Sequence, residues 1–303
     1  MKLRDLLNLI QKVSSNTGIK QTWICGGTPR DRVLGLIKNE IVDLDITTGD
    51  KKIHYLSKEL ELELKKVYSI KCKSLDDGHS SLIFTGNDFK IDFSSNFTNK
   101  NIDKHLLVKG IKNPTDLQRE MFSRDFTCNA LLLTIDLKKI TDPTYKGLED
   151  IKKRVLNTCL EPNITLHDSP NRIIRTVYLS SKLDFDVPKE IVDWIIKHKD
   201  ILRMENDKYL IKNINKAMEK NPERAVYLIN KMDLWDILPI TDSLRPYYNK
   251  KRVMKAGQIK RNTDYGESLY SNMDKYKSVL DFRKKRRKKR MKILKNIKNM
   301  KTK

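Results

Sequence analysis

The sequence predicts an α+β fold, a mixed sheet with helices followed by an all-helical part. Strand-length segments with a period of two cluster before residue 148, among them Val42–Ile46 and Phe89–Ser94. Segments of helical period are interleaved with them, and from about residue 149 onward the helical pattern takes over. At 303 residues the chain is long enough for a large core and for two or three domains.

Leu3, Leu6, Leu7, Ile10 and Val13 recur at helical spacing, and Asn16-Thr17-Gly18 ends that helix. Trp23-Ile24-Cys25 is a compact apolar run that stops at Gly26-Gly27, where the backbone can bend and leave its N–H groups uncovered. Pro29 suits the start of a short helix, because its missing N–H is not needed there. Val42-Asp43-Leu44-Asp45-Ile46 then alternates apolar and acidic residues, which puts Asp43 and Asp45 on one strand face, about 6.5 Å apart. Two carboxylates so placed repel unless a cation sits between them, and Mg²⁺, a hard ion with oxygen ligands, suits them. The competing reading is a solvated strand face.

Asp50 is placed to cap a helix whose apolar side carries Ile53, Leu56, Leu60 and Leu64. Three short strands follow, Tyr68–Lys73, Ser81–Thr85 and Phe89–Ser94, separated by the turns Asp76-Asp77-Gly78 and Gly86-Asn87-Asp88. His79 reads as a turn residue. Phe89, Ile91 and Phe93 alternate with Lys90, Asp92 and Ser94, so Asp92 points away from the core. If its strand lies beside the Asp43–Asp45 strand, a third carboxylate joins the pair; otherwise Asp92 is an exposed edge residue. Asn96–Asn113 is polar and lysine-rich and reads as a mobile loop, Asp116–Glu120 as a helix, and Leu131–Leu137 with Ile140–Asp142 as a hairpin closing the sheet. These segments predict helices packed on one face of the sheet. Farther on, Phe185, Val187, Ile191, Trp194, Ile195, Leu210, Ile211 and Ile214 read as core, and Trp235 as a packing residue.

Within one strand–turn–helix–strand unit the order is Gly26-Gly27, Arg30-Asp31, Leu34-Gly35, then Asp43-x-Asp45. This resembles the signature GGxxRDxLLG…DxD of the class II tRNA nucleotidyltransferase and poly(A) polymerase family; GxGxxG and the Walker A pattern are absent. Ser123-Arg124-Asp125-Phe126-Thr127-Cys128-Asn129-Ala130 is similar to the family's RRDFTxNA motif, with Ser123 in place of the first arginine. Asp142-Pro143 through Gly147 to Ile151 resembles its DPxxGxxDL turn. His167 to Arg175 resembles EDPxRxxR, with Asp168 at the glutamate position, Ser169 at that of the aspartate, and Tyr178 where a further arginine is usual. Met232–Pro239 is similar to the family's neck and body pattern, so the resemblance covers about residues 20–240.

The resemblance implies a polymerase-β-like nucleotidyltransferase head over residues 1–148, a helical neck and body with a nucleotide-base-binding motif over 149–240, and a helical, basic tail over 241–303. It implies an enzyme adding nucleotides to RNA 3′ ends by two-metal phosphoryl transfer, tRNA CCA or A addition first and poly(A) synthesis second. Asp43, Asp45 and Asp92 would hold Mg²⁺, with Mn²⁺ as a substitute. The nucleotide, ATP or also CTP, would meet Gly26, Gly27, Arg30, Arg124, Asp125, Asn129, Asp168, Arg172 and Arg175, while Asp31 braces the loop. Arg124 can fork onto phosphate oxygens and Asp125 can accept from ribose hydroxyls. Arg172 and Arg175, three apart on one helix face, suit a triphosphate. A serine at position 169 offers a base edge less acceptor strength than a carboxylate. A reading of another class is a non-catalytic RNA-binding subunit of the same fold.

Composition bounds the partners. Lys and Arg number 62 against 39 Asp and Glu, a net charge of +23, of which +13 falls in Arg283–Lys303. Such a chain attracts polyanions, RNA first. The tail reads equally as a solvated segment, as an RNA-binding amphipathic helix or as a nuclear address. Cys25, Cys72, Cys128 and Cys159 show no CxxC pairing, which points to a reduced, cytoplasmic protein without structural zinc. The N-terminal run carries Lys2, Arg4 and Asp5 and is no secretory signal. No segment approaches the ~18 apolar residues of a membrane span.

Overall fold

The computed structural model describes residues 3–19, 21–36, 43–50, 52–75, 79–85, 89–94 and 101–248. The turns at 76–78 and 86–88, most of the Gly35–Asp43 connector, and the basic tail from 249 onward lie outside the described residues.

Seven strands form one mixed sheet in the order β3-β4-β5-β2-β1-β6-β7. In chain order these are β1 (Trp23–Cys25), β2 (Asp43–Thr47), β3 (Ile70–Leu75), β4 (His79–Phe84), β5 (Lys90–Ser94), β6 (Leu132–Thr134) and β7 (Ile140–Thr141). Every named pair is antiparallel except β2 with β5, which run parallel. Strand parity decides what each face carries. Ile24, Leu44, Ile46, Leu82, Ile91, Phe93 and Leu133 turn to one side, where α1 (Leu3–Asn16) and α3 (Ile53–Lys65) cover them with Leu6, Ile10, Ile53, Leu56 and Leu60. All of these are essentially solvent-free, and each such aliphatic side chain is worth ~1.5–3 kcal/mol of burial.

The other face is shared. Over β1 and β6, Cys25 and Leu132 pack with Ile102 and Leu106 of α4 (Ile102–Val108) and with Met121 and Phe122 of α5 (Asp116–Phe122). Helices therefore cover both sides of the sheet, not one. The segment read as a loop contains α4, because Ile102 and Leu106 supply an i, i+4 apolar pair that the lysine-rich background masks. The expected α5 starts with a capping box, Thr115 accepting from Gln118 N and the Gln118 side chain accepting from Thr115 N. Asp50 does not cap α3; its Oδ1 accepts from Lys52 N at 3.0 Å and shapes the turn before the helix. His79 belongs to β4, paired with Ser94 of β5.

From α6 (Gly147–Lys153) the chain is helical: α7 (Pro162–Asp168), α8 (Asn171–Leu183), α9 (Lys189–His198), α10 (Asp207–Lys220) and α11 (Pro222–Lys231). Phe185, Val187, Ile191, Ile195, Leu210, Ile214 and Trp235 are buried as expected, whereas Ile211 is exposed and Trp194 is half-buried against His198. Gly147 lets α6 start against the Thr127–Asn129 turn: a Cβ there would stand 2.5 Å from the carbonyl oxygen of Thr127. Asp150 on α6 then accepts from Thr127 Oγ1 at 2.6 Å and from Asn157 Nδ2 at 2.8 Å, which fixes the turn that carries Asn129.

Candidate active site

Over β2 and β5 the second face is open, and a cleft of about 890 Å³ lies between it and α8 and α10. Parity again selects what faces it: Asp43 and Asp45 from β2, and Lys90, Asp92 and Ser94 from β5. The parallel register sets Asp45 opposite Asp92 and Asp43 opposite Lys90. Asp92 Oδ1 accepts from Ser81 Oγ at 2.5 Å, and its Oδ2 takes the Lys90 ammonium, which also lies 3.7 Å from Asp43.

Gly26 closes the end of β1 over Asp45. Its φ is +73°, and a Cβ there would lie 2.2 Å from Asp45 Oδ2, so both conformation and space require glycine. Burial pushes the Asp45 carboxyl above its ordinary value; Arg124 pulls it down, Asp92 and Asp43 add to the rise, and Lys90 opposes it. Negative charge at this spot is thus short of compensation.

The donor set fits a hard divalent cation: carboxylate oxygens alone, on one face, with two acids in direct register. Among the described residues no three His, Cys, Asp or Glu side chains converge as a ready-made cage. The expected meeting of Asp43, Asp45 and Asp92 is a shared face, with Lys90 wedged between two of them.

The cationic side of the cleft is ordered by a relay of polar contacts. Arg30, 3 % exposed, donates from Nε to Asp31 Oδ1 at 2.7 Å and from Nη1 to Asn129 Oδ1. Asn129 Nδ2 donates to Asp125 Oδ1 at 3.1 Å, and Arg175 Nε and Nη2 donate to Asp125 Oδ2 at 2.8 and 2.5 Å. Lys182 Nζ reaches Asp31 Oδ2 at 3.4 Å, so α8 meets α2 (Gly27–Val33) and the Asp125 turn at two points seven residues apart on its inner face. Burial opposes the charge of Asp125, but Arg175, Arg172 and Asn129 outweigh it and hold its carboxyl at about 2.

The residues expected at the nucleotide separate into groups. Gly26, Gly27, Arg30, Arg124, Asp125, Asn129 and Arg175 line the cleft with Asp43, Asp45 and Asp92. Arg30 is nevertheless buried as a brace. Arg124 is half-buried; its Nη2 donates to Cys25 Sγ at 2.9 Å and to Ser94 Oγ and Glu120 Oε1 at 3.1 Å, instead of standing in open solvent. Arg172 lies outside the lining: its Nη1 donates to the Thr165 carbonyl at 3.1 Å and its Nη2 to the Ser123 carbonyl at 2.7 Å. Arg172 and Arg175 share a helix but not a target. Asp168, exposed at the end of α7, and Ser169, bonded to Asn171, are also off the cleft wall.

Sequence reasoning did not assign His79, Ser81, Lys90, Lys182 or Lys216 to the site, and all five line it. Lys90 was signalled by its period-two spacing from Asp92. Lys216 was not, because only the packing of α10 on α8 brings it there. Tyr178 also faces the cleft, with Lys216 Nζ 5.6 Å from its ring centre.

Residues 22–157, which hold every cleft residue from β1 to the Asn129 turn, match the family described as the poly A polymerase head domain. The matched segment is preceded by α1 and followed by the helices that supply Arg175, Tyr178, Lys182 and Lys216. Over 285 residues the chain is 24% identical to the tRNA nucleotidyltransferase cca2 of Schizosaccharomyces pombe, covering 89% of this chain and 57% of that protein. It is 24% identical over 247 residues to a CCA-adding enzyme of Ligilactobacillus salivarius, covering 80% of this chain and 56% of that one. The chain thus spans little more than half the length of these relatives. Among solved structures, the Thermotoga maritima CCA-adding enzyme complexed with tRNA superposes with a TM-score of 0.57 at 20% identity, over 79% of this chain and 54% of that one. The Bacillus stearothermophilus CCA-adding enzyme in complex with CTP gives 0.57 at 20%, over 77% and 53%. At that identity the likeness establishes the fold, an α+β head followed by helices.

Proposed function

We propose that this chain is a template-independent RNA nucleotidyltransferase that transfers nucleotides from NTPs to RNA 3′ ends, tRNA CCA or A addition foremost. The single observation that carries this reading is the direct register of Asp45 and Asp92 on parallel strands beneath Gly26, facing a cleft whose opposite wall is cationic. The relatives' names, tRNA nucleotidyltransferase and CCA-adding enzyme, support the substrate class. Solved relatives described with CTP, ATP and tRNA support nucleotide and RNA as ligands.

Asp45 and Asp92, with Asp43 beside them, would hold Mg²⁺ or Mn²⁺. A bound divalent ion in such a site lowers the pKa of the attacking hydroxyl and stabilises the leaving pyrophosphate. The chain's own groups do the positioning. Gly26 keeps the backbone close to Asp45 and holds the acid where a side chain would displace it. Lys182, Lys216 and Arg175 offer positive charge across the cleft to triphosphate oxygens. The Asp31–Arg30–Asn129–Asp125 relay keeps that wall rigid, which limits the entropy lost on binding. Tyr178 gives a base a ring to stack on, a mode that tolerates every base.

The test supplies tRNA lacking CCA, or an unstructured RNA, with each NTP separately and reads product lengths. Incorporation confined to the tRNA supports CCA or A addition; long A tracts on both support poly(A) synthesis. No incorporation with either Mg²⁺ or Mn²⁺ overturns the enzymatic reading and leaves an RNA-binding subunit. Among the described residues no helix is long and apolar enough to cross a membrane.

A further inference from the structure

We propose that Lys90 is a tethered counter-ion of the acid face, which occupies the divalent-cation position until metal displaces it and thereby sets the metal affinity of the site. This rests on the nucleotidyltransferase reading of the same acids. Three features of the fold place the ammonium there. Lys90 and Asp43 are register partners across the parallel β2–β5 pair. Lys90 and Asp92 are two apart on one strand, so both side chains rise from the same face. The ammonium touches Asp92 Oδ2 and stands 3.7 Å from Asp43, bridging two acids that would otherwise repel.

The ammonium and a bound metal compete for Asp92. One of its oxygens accepts from Ser81 and the other from Lys90, so each is engaged before any ion arrives. A divalent ion that takes Asp92 as a ligand meets the like charge of Nζ at close range, which drives the ammonium out. Ser81 does not compete in the same way, because its hydroxyl carries no net charge to repel the ion. The Lys90 side chain is 39 % exposed and has a flexible four-carbon stem, so the expelled ammonium has room to turn into the cleft. There it would face the same triphosphate as Lys216 and Lys182. Metal entry would thus release a cation toward the nucleotide, and the empty site would never present three uncompensated acids.

The experiment measures Mn²⁺ binding to the full chain by the loss of the free-ion EPR signal, with no nucleotide present. Wild type, Lys90→Met, Lys90→Arg and Asp45→Asn are compared, and melting temperature is followed with and without saturating Mn²⁺. Lys90→Met should bind Mn²⁺ about tenfold more tightly than wild type, as removal of one competing positive charge at a half-exposed site implies. It should also melt lower than wild type without metal and recover when Mn²⁺ is saturating. Lys90→Arg keeps the charge and should bind Mn²⁺ within about twofold of wild type. Equal or weaker Mn²⁺ binding by Lys90→Met, with wild-type binding still abolished by Asp45→Asn, overturns the counter-ion role and leaves the catalytic reading standing. Absence of any Asp45-dependent Mn²⁺ binding, in wild type and Lys90→Met alike, overturns both.

Discussion

Gly26 lies so close to Asp45 that a methyl group on its Cα would stand 2.2 Å from Oδ2. The turn and the acid are therefore one unit. Gly26→Ala should leave the sheet folded but cost about 1–3 kcal/mol, because φ +73° with ψ −132° is backbone space open almost only to glycine. It should lower incorporation by roughly 100-fold, the usual scale for a reacting group moved by an ångström. Far-UV circular dichroism and a primer-extension assay report the two effects, and near-normal extension would show that Asp45 tolerates displacement.

Asp45 itself should trade stability for function. Burial raises its carboxyl above the ordinary 3.8, so the folded state disfavours its charge. The sign follows: the penalty is absent below the unfolded value and grows as pH rises through and above it. Metal-free Asp45→Asn should melt higher than wild type at pH 7, by about 2–4 °C for each ~1 kcal/mol relieved. The gain should vanish near pH 3, and incorporation should be lost. Equal melting temperatures at both pH values would refute the account.

Asp125 has the opposite sign. Its carboxyl is held at about 2 against an ordinary 3.8, so its stabilisation is complete above about pH 4 and lost as pH falls toward 2. Linkage puts this at about 2 kcal/mol. Urea unfolding at several pH values should show that window in wild type, and Asp125→Asn should flatten it.

Arg172 and Arg175 should separate by assay. Arg172→Ala strips a charged donor from two backbone carbonyls and should cost about 2–3 kcal/mol, with nucleotide affinity little changed. Arg175→Ala removes a partner of a buried carboxylate and a cleft-lining cation, so stability and nucleotide affinity should fall together. Fluorescent-nucleotide binding beside thermal melts distinguishes them; matching profiles would return Arg172 to the nucleotide.

The tail gives a test independent of the cleft. Deletion of Arg283–Lys303 removes thirteen basic residues and should weaken RNA binding and flatten its salt dependence. Unchanged affinity would mark the tail as an address or spacer.

Period-two alternation made β2 and β5 legible, because Leu44, Ile46, Ile91 and Phe93 had to be buried and the acids between them had to face outward. The same spacing fixes which face Asp92 uses but not which strand lies next to it; that neighbour is set by the crossover through α3, β3 and β4. The motif over 123–130 located the Asp125 turn, yet nothing in its pattern says that Arg124 turns under the sheet toward Glu120 and Cys25. Helical spacing likewise put Arg172 and Arg175 on one face, but their long side chains diverge to whichever acceptors packing supplies. Lys216 was beyond reach, since its place depends on one helix lying across another.

The parallel pairing of β2 with β5 carries a consequence for biogenesis. Parallel neighbours require the chain to leave the sheet and come back, here by way of a helix and a hairpin. Until that excursion closes, Asp45 and Asp92 are strangers, and a nascent or stalled polypeptide holds no paired acids. The acid pair is thus a product of the folded sheet and not of any local loop, and no fragment that ends before β5 can hold it.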